Sequence, residues 1–397
     1  MKLISLVWVN LKRNKRRSIL TLLSVTVAML LFCSLGGVID TLDESIRVGS
    51  ETRLVTINSI SMVFDLPISY RARVEAVPGV EKVTVMNWFG GQDPKDTKNF
   101  FAQFGVDAET YFSVYKNDLE IVDASPAQAA VAMPPDLDPK LAAFMSEQTG
   151  CVVGEKLMKK MGWKLGQTYT LSGTIYPGDW PFTIRAVYRP KIKAFNDEMM
   201  LFHWKYLYEH SGHQNHLGIL VLQLAHPDQA AAISKEVDAM FDNSSSMTRT
   251  ETERAFQASF VSMLGNVPLV LRVVGLAVVF AILMVAANTM VMAVRERTGE
   301  IGVLKTLGFE DGTIFRLVLA EGAIITLGGG LLGALASKAL IEWTGFNAGG
   351  ALPPMIIRWS TVAIGAGVSL FLGAVSGFVP AWQASRLRIV ETLRRVE

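Results

Sequence analysis

Four apolar runs constrain this chain more than any other feature. Ile19–Ile39, Val273–Val294 and Thr361–Ala381 carry no charged residue, and Leu317–Ile341 carries only Glu321 near one end and Lys338 near the other. About 20 apolar residues at helical rise cross the hydrocarbon core of a bilayer. Inside that core each backbone amide must bond within its own helix, so the chain is expected to cross a membrane as four helices. The first run is long for the apolar part of a cleaved leader and lacks its small-residue cleavage site. Half of the 397 residues are hydrophobic and the mean hydropathy is +0.32. That is too apolar for an ordinary soluble protein, yet 19% of the residues are charged, so a water-exposed domain must accompany the spans.

Charge placement orients the spans. Met1–Ser18 is an amphipathic basic segment, with Leu3, Leu6, Val7 and Leu11 on one face and Lys12, Arg13, Lys15, Arg16 and Arg17 after them. Such a segment lies among headgroups and places the N-terminus in the cytoplasm. The expected plan is residues 1–18 as a cytoplasmic amphipathic helix and 19–39 as the first span. Residues 40–266 are an extracytoplasmic domain with stalks, and 267–397 a second membrane region. Within that region 273–294, 317–341 and 361–381 are spans, 295–313 is a cytoplasmic loop and 382–397 a cytoplasmic tail. Trp343 suits the interface beyond the third span, and Asn347–Ser360 is a short outer loop. Every segment assigned to the cytoplasm is basic. Gly329 with Gly333, and Gly373 with Gly377, are spaced four apart, which lets helix backbones approach closely in lipid.

The outer region alternates short strand and helix signals. Leu54–Ile57, Val80–Met86, Phe100–Val106, Cys151–Gly154, Gly166–Leu171, Phe182–Tyr188 and Leu217–Leu224 read as strands. Ile68–Ala76, Ala108–Tyr115, Glu155–Met161 and Pro227–Phe241 read as helices. The fold class is thus an α-helical membrane protein with four transmembrane helices and a large α+β extracytoplasmic domain. The Ala- and Pro-rich Asp123–Asp138 reads as a loop, and the Ser/Thr-rich Asn243–Thr252 as a link to a second stalk. In that stalk Phe256, Phe260, Met263, Leu264 and Val267 recur at helical spacing. The two cysteines, Cys33 and Cys151, lie in different regions and indicate no disulfide framework.

Between the second and third spans stands Arg295-Glu296-Arg297-Thr298-Gly299-Glu300-Ile301-Gly302-Val303-Leu304-Lys305-Thr306-Leu307-Gly308. Ile301, Val303, Leu304 and Leu307 fall on one helical arc of roughly 160°, interrupted by Glu300. A partly apolar helix of this kind suits docking of a soluble partner, and equally a solvated turn. The wording of the stretch resembles the cytoplasmic loop of the MacB/FtsX-type ABC transporter permeases, R-T-R-E-I-G-x-L-[RK]-A-L-G. Gly299 stands where that family has a basic residue, and Thr306 where it has Ala. Other matches occur in the family's order: the opening of the chain, Val77-Pro78-Gly79-Val80, Phe104-Gly105-Val106-Asp107, Val153-Gly154-Glu155-Lys156-Leu157, and Pro380–Arg394 at the end. In that last stretch Ile389 replaces the usual Pro.

The resemblance implies a permease subunit in the bacterial cytoplasmic (inner) membrane, with both termini cytoplasmic. Arg297, Glu300, Ile301, Gly302, Leu304, Lys305, Leu307 and Gly308 would couple it to an ABC ATPase subunit. A second permease copy, most simply a homodimer, a periplasmic adaptor protein and membrane lipids are the other implied partners. Two outputs fit: export or extrusion of a substrate from the periplasmic side by mechanotransmission, or an FtsX-like signal that activates a cell-wall hydrolase. The size of the outer domain favours the first.

The chain carries no G-x-x-x-x-G-K-[ST], G-x-S-x-G or H-E-x-x-H, so it is read as a non-catalytic subunit, with no cofactor, no metal and no nucleic-acid partner. His210, His213 and His216, near His203, are read as a polar surface loop rather than metal ligands, because i and i+6 do not share a helix face and Gly212 interrupts them. Glu321, an acid within a span, is expected to pair with Arg316 or a lipid-facing basic neighbour.

Overall fold

The computed structural model describes residues 15–94, 100–127, 130–192, 195–212, 215–263, 265–346 and 354–387. The amphipathic segment before residue 15, His213, Leu264, residues 347–353 of the outer loop and the tail from residue 388 lie outside the described residues. Two compact units emerge, one of residues 42–265 with 346–354 and one of the remainder.

The membrane unit is built from four helices long and apolar enough to cross a bilayer. They are α1 (Lys15–Val48), α9 (Val267–Glu296), α11 (Asp311–Thr344) and α12 (Trp359–Ser385); α1 continues beyond this unit. Each contains one of the expected spans and extends past it, because the polar residues flanking an apolar run keep helical geometry once they reach water. Glycine sets how closely they pack. A methyl on Gly333 would stand 2.3 Å from Thr26 O of α1, and one on Gly329 2.8 Å from Leu22 O. On α12 a methyl at Gly373 would meet Thr326 Oγ1 of α11 at 2.2 Å, while Gly377 faces Leu319 Cδ1 at a looser 3.3 Å. The tightest approach was not read from the sequence: a methyl on Gly330 would lie 1.8 Å from Ser369 Oγ. Asp40 fastens α1 to the start of α12, its Oδ2 accepting from Arg358 N (2.9 Å) and Thr361 Oγ1 (2.6 Å). The first bond satisfies one amide that a helix N-terminus leaves without an intrahelical partner, and the second engages a side-chain hydroxyl.

The other unit is a mixed sheet covered by short helices. Its elements in order are β1 (Arg53–Asn58), β2 (Leu66–Pro67), α2 (Ser69–Glu75), β3 (Val80–Trp88), β4 (Gly91–Gln92), β5 (Ala102–Val106), α3 (Tyr111–Val114) and β6 (Leu119–Ala124). Then come α4 (Ala142–Met145), β7 (Gly150–Gly154), α5 (Glu155–Met161), β8 (Thr168–Gly173), β9 (Gly178–Pro190), β10 (Met199–His203) and α6 (Trp204–His210). The last are β11 (His216–Leu217), β12 (Ile219–Leu224), α7 (Ala230–Ala239), β13 (Thr248–Thr252) and α8 (Glu253–Met263). Among the described residues the main sheet has 11 strands in the order β13-β1-β12-β3-β5-β10-β7-β9-β8-β4, with β6 also on β9. Only β5–β10 and β7–β9 are parallel.

Three apolar clusters fill this unit. Tyr70 of α2 stacks on Phe241 at 3.8 Å over the β1–β12–β3 side. Phe89, Phe182 and Phe202 meet around β9 and β10. Tyr111, Tyr115, Phe144 and Tyr188 form the third group. The expected polar link at Asn243–Thr252 is corrected in its second half: Thr248–Thr252 is an edge strand on β1. Thr248 and Thr250 are buried, with Thr250 Oγ1 2.9 Å from Thr56 Oγ1. Hydroxyl pairs do there what apolar alternation does elsewhere.

Candidate functional site

α9 ends at a corner. Thr298 Oγ1 donates to Arg295 O (2.9 Å) and Val294 O (3.3 Å), occupying carbonyls at the helix end. A second helix, α10 (Thr298–Thr306), starts at once and has 9 residues. Isolated helices below ~12 residues are marginal in water, so tertiary contacts must hold it.

Three such contacts do. Arg297 Nη1 donates to both carboxylate oxygens of Glu321 on α11, at 3.0 and 2.7 Å. The partner is neither Arg316 nor a lipid-facing base, which corrects both expected pairings. Five residues along a helix is about 140° around it, and Arg316 is exposed, whereas Arg297 reaches Glu321 from the corner. Both side chains are largely buried, at 11% and 8% exposure. Lys305 Nζ donates to Ser385 O (2.6 Å) and Leu387 O (2.8 Å) at the end of α12, and pairs with Asp311 Oδ1 (2.8 Å) at the start of α11. A cation there meets carbonyls that the helix end leaves open. Ile301 is buried against Ile314, Val318, Ala381 and Ala384.

The end of α10 is closed by Gly308. Its φ of +90° is in the left-handed region, and no atom lies within 4 Å of where a side chain would start, so backbone conformation alone selects glycine. Gly308 N donates to Lys305 O and Phe309 N to Leu304 O, both at 3.1 Å, the paired bonds of a Schellman turn.

The expected apolar arc therefore divides. Ile301 and Gly302 are buried. Leu304 and Glu300 are half-buried and line a groove of about 320 Å³ with Val294, Leu317 and Val318. Val303 and Leu307 point outward, at 49% and 71% exposure, followed by Phe309. Arg297 and Lys305 are anchors inside the unit. The anchoring partners Glu321, Ser385 and Leu387 were not assigned to this site from sequence; their contacts depend on how α11 and α12 end, which local pattern does not report.

The described histidines do not converge. Nε2 of buried His203 lies 2.7 Å from Phe144 O and burial holds its imidazole below the usual pKa. His210 Nδ1 bonds Tyr206 O at 3.0 Å on its own helix. No group of three metal-ligating side chains occurs among the described residues.

Residues 18–240 match the family described as MacB-like periplasmic core domain, and residues 272–389 the family described as FtsX-like permease C-terminal. An uncharacterized ABC transporter permease of Methanocaldococcus jannaschii is 24% identical over 99% of this chain and 97% of its own length. The uncharacterized ABC transporter permease YknZ of Bacillus subtilis is 35% identical over 27% of this chain, and the match spans 26% of that protein. Among solved structures, the periplasmic region of MacB from Actinobacillus actinomycetemcomitans is covered over 97% of its length and 55% of this chain, at 11% identity and a TM-score of 0.37.

Proposed function

The chain belongs to the MacB/FtsX-type ABC transporter permease family, and from this premise we propose that it is the permease subunit of a mechanotransmitting transporter. It couples ATP hydrolysis by a separate ATPase subunit to export or extrusion of a substrate from the periplasmic side. Its place is the bacterial cytoplasmic membrane, with both termini in the cytoplasm. The observation that carries this reading is α10. A short helix is tied to α11 and α12 by Arg297 and Lys305, yet Val303 and Leu307 stay open to a partner. Force applied at the exposed side passes to α11 through paired charges and to α12 through the Lys305 hydrogen bonds to its terminal carbonyls, rather than through a flexible turn.

Two further features support the mechanism and the second copy. Among the described residues, the charges within the spans are engaged locally, Glu321 by Arg297 and Lys338 by Glu342 and Ile357 O. They leave no polar track at membrane depth. The apolar stretch of α9 is only 17% buried, and Asn288 on it is exposed. An amide facing lipid is costly, so a second permease copy is the natural cover for this side of α9. A periplasmic adaptor would complete the export path.

Leu307→Asp tests the dock. Leu307 contributes little to the fold at 71% exposure, so membrane insertion and thermal stability should match the parent protein. An unpaired charge in an apolar interface costs about 3–5 kcal/mol, which should abolish copurification of the ATPase. Undiminished copurification would remove α10 as the dock.

A further inference from the structure

The sheet unit contains a chamber that the coupling mechanism does not use. Its volume is about 250 Å³. Met86, Phe104 and Met199 line it from β3, β5 and β10, Phe256 lines it from α8, and Tyr111 and Tyr115 close another side. Thioethers and aromatic faces are soft, polarizable surfaces that adapt to ligands of varied shape.

One end of this apolar chamber is charged. Arg53 Nε and Nη2 lie 2.8 and 2.7 Å from Glu253 Oε2, and Arg53 Nη1 lies 2.7 Å from Asp118 Oδ2. The guanidinium also sits 4.5 Å over the Tyr115 ring. One cation thus faces two carboxylates. Burial opposes the Arg53 charge, but Glu253 and Asp118 outweigh it and raise its pKa, so the guanidinium stays charged and occupied. Glu253 Oε2 is saturated by Arg53 and by Ser50 N at 3.0 Å, whereas Oε1 takes one bond, from Tyr115 Oη at 3.2 Å. A carboxylate oxygen has room for two. Lys191, the other cation acting on Asp118, is not part of the lining.

We infer that this chamber is a ligand site for a compact apolar monocation, its charge set against Glu253 and its body among the methionines and aromatic rings. The excess carboxylate supplies the ionic term, and aromatic faces attract a cation that has shed its water. An anion of the same shape meets the same apolar walls and the opposite electrostatic term. Ser45 and Val48 of α1 and Gln257 of α8 also line the chamber, so an occupant touches both helices that lead toward spans.

The experiment uses the full chain in lipid nanodiscs without ATPase, which keeps it independent of the docking test. Equilibrium dialysis measures uptake of phenyltrimethylammonium and of benzenesulfonate, a cation and an anion of similar compact shape, each corrected against empty nanodiscs. Saturable uptake of one ammonium ion per chain, with no saturable uptake of the sulfonate, is expected. Glu253→Gln should weaken ammonium uptake at least tenfold. Met199→Trp, which fills the chamber and leaves the charge cluster intact, should abolish it even if Glu253→Gln fails to fold. Equal uptake of both ions would show a generic apolar slot and overturn the inference. So would uptake no greater than that of empty nanodiscs, or unchanged uptake by Met199→Trp.

Discussion

Gly333 shows how little room the membrane helices leave. Gly333→Ala would press a methyl against Thr26 O at 2.3 Å, and a backbone atom cannot swing aside. Overpacking of this kind costs about 1–3 kcal/mol, so thermal unfolding in detergent should begin several degrees lower. Gly367→Ala is the matched control: no atom lies within 4 Å of its added methyl, and helix propensity favours alanine by about 1 kcal/mol, so unfolding should stay put or move up. In the sheet unit, Glu155 Oε2 lies 2.7 Å from Arg189 Nε and Oε1 2.7 Å from Lys159 Nζ. Arg189 first, then Lys159, hold this carboxyl at about 2 against an ordinary 4.5. A depressed carboxyl stabilises the fold fully above its unfolded pKa and loses that contribution as pH falls through the folded one. The parent protein should therefore lose stability faster than Glu155→Gln between about pH 4.5 and 2, read as the difference in their denaturant midpoints. Parallel curves would mean the ion pairs add nothing.

At the scale of elements, legibility followed the kind of pattern each element carries. The four spans announce themselves by length and hydropathy, and each expected span lies inside a helix. Strands with apolar content, such as Ile219–Leu224, stand out for the same reason. Thr248–Thr252 does not, because its buried positions are threonines satisfied by Thr56 and Asp238. Leu119–Ala124 has buried Leu119 and Ile121, but it runs into an Ala- and Pro-rich stretch that reads as loop. The strand Met199–His203 passes directly into the helix Trp204–His210 with no turn residue between them, so one apolar run hides two elements. α10 was half legible. The sequence left its stretch open between a partly apolar docking helix and a solvated turn; the structure makes it a helix closed by Gly308. Which of its apolar residues face inward depends on α11 and α12. Ile301 is consequently a core residue, while the docking candidates narrow to Val303 and Leu307, and Leu307→Asp is a sharper test than a charge at half-buried Leu304.

Across the whole molecule, the two connections between span and sheet differ in kind. α1 runs as one helix of 34 residues from a span to Val48. The other connection is jointed: α8 ends at Met263, Gly265 takes a φ of +81° and Asn266 caps α9 by accepting from Leu269 N at 3.3 Å. The proposed mechanism makes these two connections the path by which motion, rather than substrate, passes. The most direct test places cysteines at Ser45 on α1 and Ser259 on α8 in the reconstituted permease–ATPase complex. Cys33 and Cys151 are both 0% exposed, so the background can retain them. Crosslinking yield is compared with ATP trapped and with nucleotide removed. Mechanotransmission predicts a yield that changes with nucleotide state and is equalised by Leu307→Asp. A yield indifferent to nucleotide, at these and neighbouring stalk positions, would contradict it.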